Sequence, residues 1–346
     1  MAYTTINKPN LYFNTVTYTG DGASNRAITG YNFSPDLVWH KSRSNSYNHY
    51  LFDKVRGVAK TLFSNSTSAE DTSSFTTSFN SFDSDGFTVT QVGGIEMNQN
   101  AVTYANWGWK ANGAGVSNTA GTISSTVSAN TTAGFSIVSY TGNGTAGATV
   151  GHGLGSIPKM VIIKCRTSTP SWQVWGDGYT RLSLNNTDGD LGNNGMTRGT
   201  STFSLPSGIN DWNGSGLTYI AYCWSEVKGF SKFGSYTGNG STDGTFVYTG
   251  FKPAFVLTKV INSAEQWYMW DNKRDTFNPQ LKYLLPNGSF TETASYSSGI
   301  LDFVSNGFKF RNGTGTYWNG SGSNYIYMAF AEQPLVGTNN VPATAR

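Results

Sequence analysis

Two carboxylates beside a cluster of aromatic rings are the residues of this chain best suited to bond cleavage: Asp271 and Asp275, next to Trp267, Tyr268 and Trp270. Glycoside hydrolysis needs one acid to protonate the leaving oxygen and a second to act as base or nucleophile across an aromatic-lined cleft. The same residues read as a solvated loop, and their spacing does not separate the two readings. Asp83-x-Asp85-Gly86 and Asp188-Gly189-Asp190 resemble pieces of a calcium loop. Such a loop needs further oxygen ligands and a glutamate at its twelfth position, so turn geometry is the better account. His40, His49 and His152 lack the clustered spacing of a zinc site, and no Gly-x-Ser-x-Gly elbow accompanies them. The expectation is a protein with no catalytic residue, no metal ligand and no cofactor.

One charged pair does recur: Lys41 with Asp53, Lys164 with Asp177, and Lys259 with Asp271. Recurrence means that the pair serves a repeated unit, as an ion pair or hydrogen bonds tying neighbouring strands together. Three equivalent ligand sites are the alternative. Exposed aromatic rings can also stack on sugar faces, and Trp172, Trp212, Trp267 and Trp318 are the candidate platforms for a glycan. Tryptophans of a small sandwich are more often core.

The elements that must position these residues come in three copies. Tyr18-Thr19-Gly20-Asp21-Gly22, Tyr140-Thr141-Gly142-Asn143-Gly144 and Tyr236-Thr237-Gly238-Asn239-Gly240 each read as a strand running into a tight turn. Glycine supplies positive φ there, and Asn or Asp bonds back to its own backbone. A proline, five residues and a lysine follow: Pro35 to Lys41, Pro158 to Lys164, Pro253 to Lys259. The intervening residues predict a strand through a buried region. An aspartate after an aromatic comes next. Each copy closes on an aromatic strand, Tyr104 to Trp109, Tyr219 to Trp224 and Tyr325 to Phe330. Roughly a hundred residues per copy suits a small domain with its own core. The chain therefore divides into an N-terminal arm 1–11, repeats at 12–110, 134–228 and 229–334, a Gly/Ser/Thr/Asn-rich linker 111–133, and a tail 335–346. The middle of the linker, 121–127, is able to pair as an edge strand. The arm either docks elsewhere or hangs loose.

Composition agrees. The chain has 346 residues, 12% charged and 14% aromatic, with many short aromatic or β-branched runs between Gly, Asn and Ser turns. That is the signature of sandwiches or barrels, and too aromatic for disorder. The fold expected is all-β: three tandem homologous β-sandwich domains of jelly-roll or lectin-like type. The net charge of +3 is dispersed, which argues against nucleic-acid and membrane partners. Met1 to Thr5 lack the basic and apolar segments of a signal peptide, so synthesis in the cytosol is expected. Cys165 and Cys223 both fall in repeat two and do not recur, so buried free thiols are expected.

Four stretches carry a resemblance: Phe33 to Arg43, Leu51 to Gly57, Gly234 to Gly240, and Phe303 to Lys309. They resemble a family of virion structural and tail-fibre-like proteins in tailed bacteriophages, particularly those of marine bacteria. The likeness runs from about Tyr12 to Pro334. It implies a non-enzymatic structural protein of the virion surface, either a capsid decoration (cement) protein or a tail fibre or appendage. It implies assembly in multiple copies with major capsid or tail proteins. A host-glycan-binding module for attachment is the alternative. A polysaccharide-degrading tailspike is the third reading, but the short repeats of a parallel β-helix are absent. Three fused units also suggest one chain on a pseudo-threefold position of a capsid lattice.

Overall fold

Each repeat builds the same ladder of strands. The computed structural model of the chain describes residues 3–93, 97–192, 195–294, 300–312, 315–337 and 342–344. Repeat one contributes β1 (Phe13–Thr19), β2 (Arg26–Thr29), β3 (Leu37–Ser42), β4 (His49–Asp53), β5 (Leu62–Phe63), β6 (Phe79–Asp83), β7 (Gly86–Val89) and β8 (Thr103–Trp109). The linker contributes β9 (Val116–Asn118) and β10 (Ser125–Asn130), and repeat two contributes β11 (Phe135–Thr141), β12 (Thr149–Gly151), β13 (Met160–Cys165), β14 (Gln173–Gly176), β15 (Tyr179–Ser183), β16 (Thr202–Ser204) and β17 (Thr218–Trp224). Repeat three contributes β18 (Ser231–Thr237), β19 (Phe246–Tyr248), β20 (Phe251–Val260), β21 (Trp267–Asp271), β22 (Leu301–Val304), β23 (Gly307–Phe310) and β24 (Asn324–Pro334). The larger sheets run β1-β8-β3-β4-β5, β15-β14-β13-β17-β11-β10-β9 and β18-β24-β20-β21. In each, the first strand of the repeat lies antiparallel to the last, and the last to the strand after the proline. The smaller sheets are β2-β7-β6, β12-β16 and β19-β23-β22. The all-β expectation holds.

The strands after the prolines are buried at every position. Side chains alternate across a sheet, so an uninterrupted apolar run requires cover on both faces. One face of each large sheet turns toward its small sheet. Val38 packs there in repeat one, Val161 and Ile163 in repeat two, and Val256 in repeat three, giving three separate cores. The opposite faces meet each other. Leu37, Trp39, Trp107 and Trp109 join Met160, Ile162, Tyr222 and Trp224, and Phe255, Leu257, Met328 and Phe330, in one common cluster. Trp109 sits at its centre, 6.1 Å from Trp224 and 5.8 Å from Phe330 between ring centroids. Trp109 and Trp224 end the last strands of repeats one and two, and Phe330 holds the corresponding place within β24. The repeats are therefore not beads on a string. They close around a fourth core that none of them owns.

The expected linker is structural. Within 111–133, β9 and β10 extend the large sheet of repeat two, and Ile123 and Val127 enter that repeat's own core. The N-terminal arm is docked. Ile6 lies in the common core, and the Tyr3 hydroxyl donates to the Gly250 carbonyl at 2.7 Å. Met1 and Ala2 lie outside the described residues, as do 338–341 and 345–346 of the tail. Leu335 donates its N–H to Gly250 at 3.3 Å, so the tail begins against the same corner.

Candidate functional site

The recurring Tyr-Thr-Gly-Asn/Asp-Gly stretch is one half of a clasp. Its other half is an asparagine just ahead of the last strand: Asn98, Asn213 and Asn319. Asn98 donates its amide to the Asp21 carboxylate at 2.7 Å and to the Ala23 carbonyl at 3.0 Å. Asn213 does the same to the Asn143 side chain (3.3 Å) and the Thr145 carbonyl (2.8 Å). Asn319 repeats it on Asn239 (2.9 Å) and the Ser241 carbonyl (3.0 Å). The first glycine of each stretch is needed for close approach. A Cβ at Gly20, Gly142 or Gly238 would lie 2.0, 2.5 or 2.3 Å from a facing carbonyl oxygen. The last glycines, Gly22, Gly144 and Gly240, have φ of 74°, 73° and 67°. The tyrosines donate to the carbonyls of Met97, Trp212 and Trp318. These corners hold the fold; their polar atoms are spent on each other.

Two clusters of buried charge lie between repeats. Asp53, fully buried, receives Arg56 from three residues on and the Tyr222 hydroxyl of repeat two at 2.8 Å. Arg56 also reaches Glu70 at 3.1 Å, and Glu70 is gripped by both arms of Arg166 from repeat two at 2.8 and 2.9 Å. The cluster is repeated where repeat three meets repeat one. Asp271 receives Arg274 and the Trp107 indole N–H at 3.1 Å, Arg274 reaches Glu292 at 3.2 Å, and Arg43 grips Glu292 at 2.8 and 3.0 Å. Burial by itself would raise the Glu70 carboxyl, but Arg166 and Arg56 more than offset it and hold it below its ordinary value.

The junction of repeats two and three keeps the backbone and drops the charges. Glu70, Asp190 and Glu292 donate their N–H groups to the carbonyls of Arg166, Ile261 and Arg43 at 2.8, 2.7 and 2.7 Å. Ile261 thus stands where the other two junctions have arginine. Met328 stands where they have Tyr222 and Trp107, and Gly176, opposite Met160, stands in register where they have Asp53 and Asp271, which puts Tyr179 at the place of Arg56 and Arg274. Asp177 lies one residue further on, in register with Lys54 and Asn272, and turns outward to Lys159 (2.7 Å) and Arg198 (2.9 Å).

The recurring lysine–aspartate pairs therefore do not form as expected. In the β3–β4 ladder Lys41 is opposite His49 and Asp53 is opposite Leu37, so the two charges sit at opposite ends, roughly 13 Å apart along the strands. The same holds for Lys259, opposite Trp267, and Asp271, opposite Phe255. The lysines instead take backbone carbonyls. Lys41 donates to Tyr47 (2.7 Å) and to Ser289 of repeat three (3.1 Å), and Lys164 to Pro170 (3.0 Å) and to Thr67 of repeat one (3.0 Å). Lys259 donates to Val260 at 2.6 Å. Burial lowers Lys164 and Lys259 to about 8. The Arg56 and Arg274 clusters had a legible signal, an Asp-x-x-Arg spacing present in repeats one and three and absent from repeat two.

The four proposed sugar platforms are buried, none above 2% exposed. Trp172 and Trp267 donate their indole N–H groups across junctions, to Phe63 (2.8 Å) and Ser183 (3.0 Å). Trp212 packs on Trp175, and Trp318 on Tyr268 and Trp270. They are core because both faces of every large sheet are covered. The Asp271–Asp275 pair is divided in the same way. Asp271 is locked to Arg274, while Asp275 accepts the N–H groups of Leu281 and Lys282. Asp83 accepts from Ser81 and Thr88, and Asp190 accepts from the Thr180, Arg181 and Gly192 N–H groups. Both are turn geometry. His40 bonds Asn106, and His49 accepts the Trp39 indole N–H at 2.9 Å. The Leu154 N–H on His152 Nδ1 leaves Nε2–H to donate to the Gly199 carbonyl. Cys165 and Cys223 are buried free thiols, as expected.

Among the described residues no three His, Cys, Asp or Glu side chains are grouped to hold a metal ion. An open groove of about 720 Å³ runs along the docked N-terminal arm, lined by Tyr3, Thr4, Thr132, Glu226 and Lys228. The two Asp–Arg–Glu clusters, with Lys41, Lys164, Trp172 and Trp267, join repeat to repeat. The chain belongs to a family described as a domain of unknown function (DUF7483), matched over residues 8–334. That match takes in all three repeats as one unit, in keeping with their common core. No curated protein and no solved structure matches the chain.

Proposed function

We propose that this protein is a non-enzymatic structural component of a tailed-bacteriophage virion surface, acting as a trimer within one chain. The observation that carries the reading is the closed ring. Repeat one clasps two, two packs on three, and three clasps one, all around a shared core. Such a body presents three near-equivalent outer edges about one axis, which suits a threefold or quasi-threefold seat on a particle. The sequence resemblance supplies the particle. Capsid decoration and a tail appendage are both compatible with it, with major capsid or tail proteins as partners.

A cryo-EM reconstruction of intact particles, with copies of this chain counted, is the test. The expected result is density for the closed three-repeat ring on a threefold or quasi-threefold position. Many copies across the shell would assign decoration, and a few confined to the tail would assign an appendage. Absence of the chain from purified virions would overturn the reading, as would a linear string of domains away from any such axis. Host-glycan recognition keeps one supporting observation: the exposed rings of Phe277 (78%) and Phe290 (57%) in repeat three. A glycan array with the F277S/F290S double variant as control separates that reading from the first.

A further inference from the structure

The three small sheets differ at one edge. In repeat two, β12 is paired with β16 on one side, and its outward carbonyls are taken on the other by the chain's own segment 121–125. The Ile123 N–H reaches the Thr149 carbonyl at 2.9 Å, and the Ser125 hydroxyl reaches the Gly151 carbonyl at 3.1 Å. The Thr149 N–H is met by Thr122 Oγ1 at 2.8 Å. Ile123 runs parallel to Val150 and enters the core of the repeat, and Gly121 comes close enough that a Cβ would lie 2.3 Å from the Thr149 carbonyl oxygen.

The equivalent strand of repeat three is β19. Its register with β23 pairs Phe246 with Lys309, Val247 with Phe308 and Tyr248 with Gly307. Thr245 and Thr249 bond toward that neighbour, through Phe310 N–H and the Asn306 carbonyl. Hydrogen-bonding direction alternates along an antiparallel strand, so Phe246 and Tyr248 aim their backbone groups outward. Among the described residues no segment runs beside that edge as 121–125 runs beside β12. The side chains there differ too. Repeat one has Ala27 and Thr29 at these positions and repeat two has Thr149 and Gly151, whereas Phe246 is 45% and Tyr248 51% exposed. Native sheets ordinarily guard such an edge with charge, proline or cover. This one carries two rings instead.

We propose that the β19 edge takes up an extended strand from a neighbouring protein chain, with the chemistry of residues 121–125: small and hydroxyl-bearing, with one β-branched anchor. Backbone pairing provides the attachment, and Phe246 and Tyr248 flank it with apolar surface. Repeat two, covered by its own chain, is the internal form of the same contact.

The test is fluorescence anisotropy with the intact protein and a fluorescein-labelled peptide of residues 119–127. Saturable binding is expected. Phe246→Pro removes an outward N–H and leaves the β23 ladder intact, as proline on an edge strand does, and should weaken binding about tenfold. A peptide N-methylated at the residue corresponding to Ile123 should weaken it similarly, because that N–H is the one that pairs in repeat two. The F246A/Y248A double variant, with folding checked by thermal melt, should weaken binding several-fold, while Ile157→Ser at an exposed site in repeat two leaves it unchanged. No saturable binding by the wild type, or equal binding by Phe246→Pro and by the N-methylated peptide, would overturn the proposal.

Discussion

Two of the three junctions in this ring are fastened by buried charge, and the third is not. Between repeats one and two, and between three and one, a buried aspartate and arginine sit beside a partly buried glutamate, which is met by an arginine from the next repeat. Between two and three the same backbone hydrogen bond is kept, with Ile261 and Met328 beside it. Connectivity offers a physical reason. Repeat two ends at Trp224 and repeat three begins its first strand at Ser231, so a short turn already holds them together. Repeats three and one meet without such a turn, and a longer segment separates β8 of repeat one from β11 of repeat two. A short tether raises the local concentration of one surface at the other and lessens the need for directional contacts.

The most severe way to break that comparison is to remove a repeat from the ring. Residues 111–228 alone would expose Phe135, Ile137, Met160, Ile162, Ile220, Tyr222 and Trp224. Each is worth roughly 1.5–3 kcal/mol when buried, so the loss rivals the ~5–15 kcal/mol that stabilises a whole domain. The excised repeat is expected to lack a cooperative melt by near-UV circular dichroism, and the intact chain to unfold in a single transition. A cooperative melt of the fragment would show the common core to be dispensable.

Next in size, Arg274→Ala or Arg56→Ala leaves a buried aspartate without its cationic partner. Each should cost about 3–5 kcal/mol in denaturant titration. Tyr179→Phe, at the equivalent place in repeat two, deletes only a hydroxyl and should cost under about 1 kcal/mol. Similar losses at all three would erase the distinction between junctions. Ile261→Ala then measures the apolar junction itself. The side chain is half-buried against the common core, and a loss of roughly 1–2 kcal/mol is expected.

The smallest effect is a pH dependence. Glu70 is held below its ordinary value of 4.5 in the folded state. A carboxyl depressed by folding contributes stability that is complete above its unfolded value and lost as pH falls through its folded one. Glu70→Gln should therefore lower stability at neutral pH and flatten the decline below about pH 4.5 in denaturant titrations at stepped pH. An unchanged acid limb would mean that the Arg166–Glu70 contact contributes nothing.

Much of the repeat was legible because it is local. The glycine corners, the buried strands at the prolines and the closing aromatic strands appear where their residues place them, except that β20 begins at Phe251, ahead of Pro253, and β24 runs on to Pro334. The partners of the charges were not legible in the same way. Lysine and aspartate recur at a fixed interval, but a hairpin ladder carries them to opposite ends, where Lys41 and Lys164 reach carbonyls in other repeats. Trp172 and Trp267 gave no sign of which neighbour they serve, because their acceptors are backbone carbonyls of another repeat, Phe63 and Ser183. The edge at Phe246 and Tyr248 was hidden as well, since three residues of alternating pattern do not disclose which side of a strand is paired.

The sequence by itself determined the all-β character, the threefold repetition and the chemistry of each corner. These depend on contacts a few residues apart or on alternation within one strand. Only the tertiary structure decided that the second face of each large sheet is apolar for the sake of the other two. A run such as Leu37-Val38-Trp39 says that both faces are covered, but what covers the second face is a surface more than a hundred residues away in the chain. Its position is fixed by closure of the ring and by no local signal.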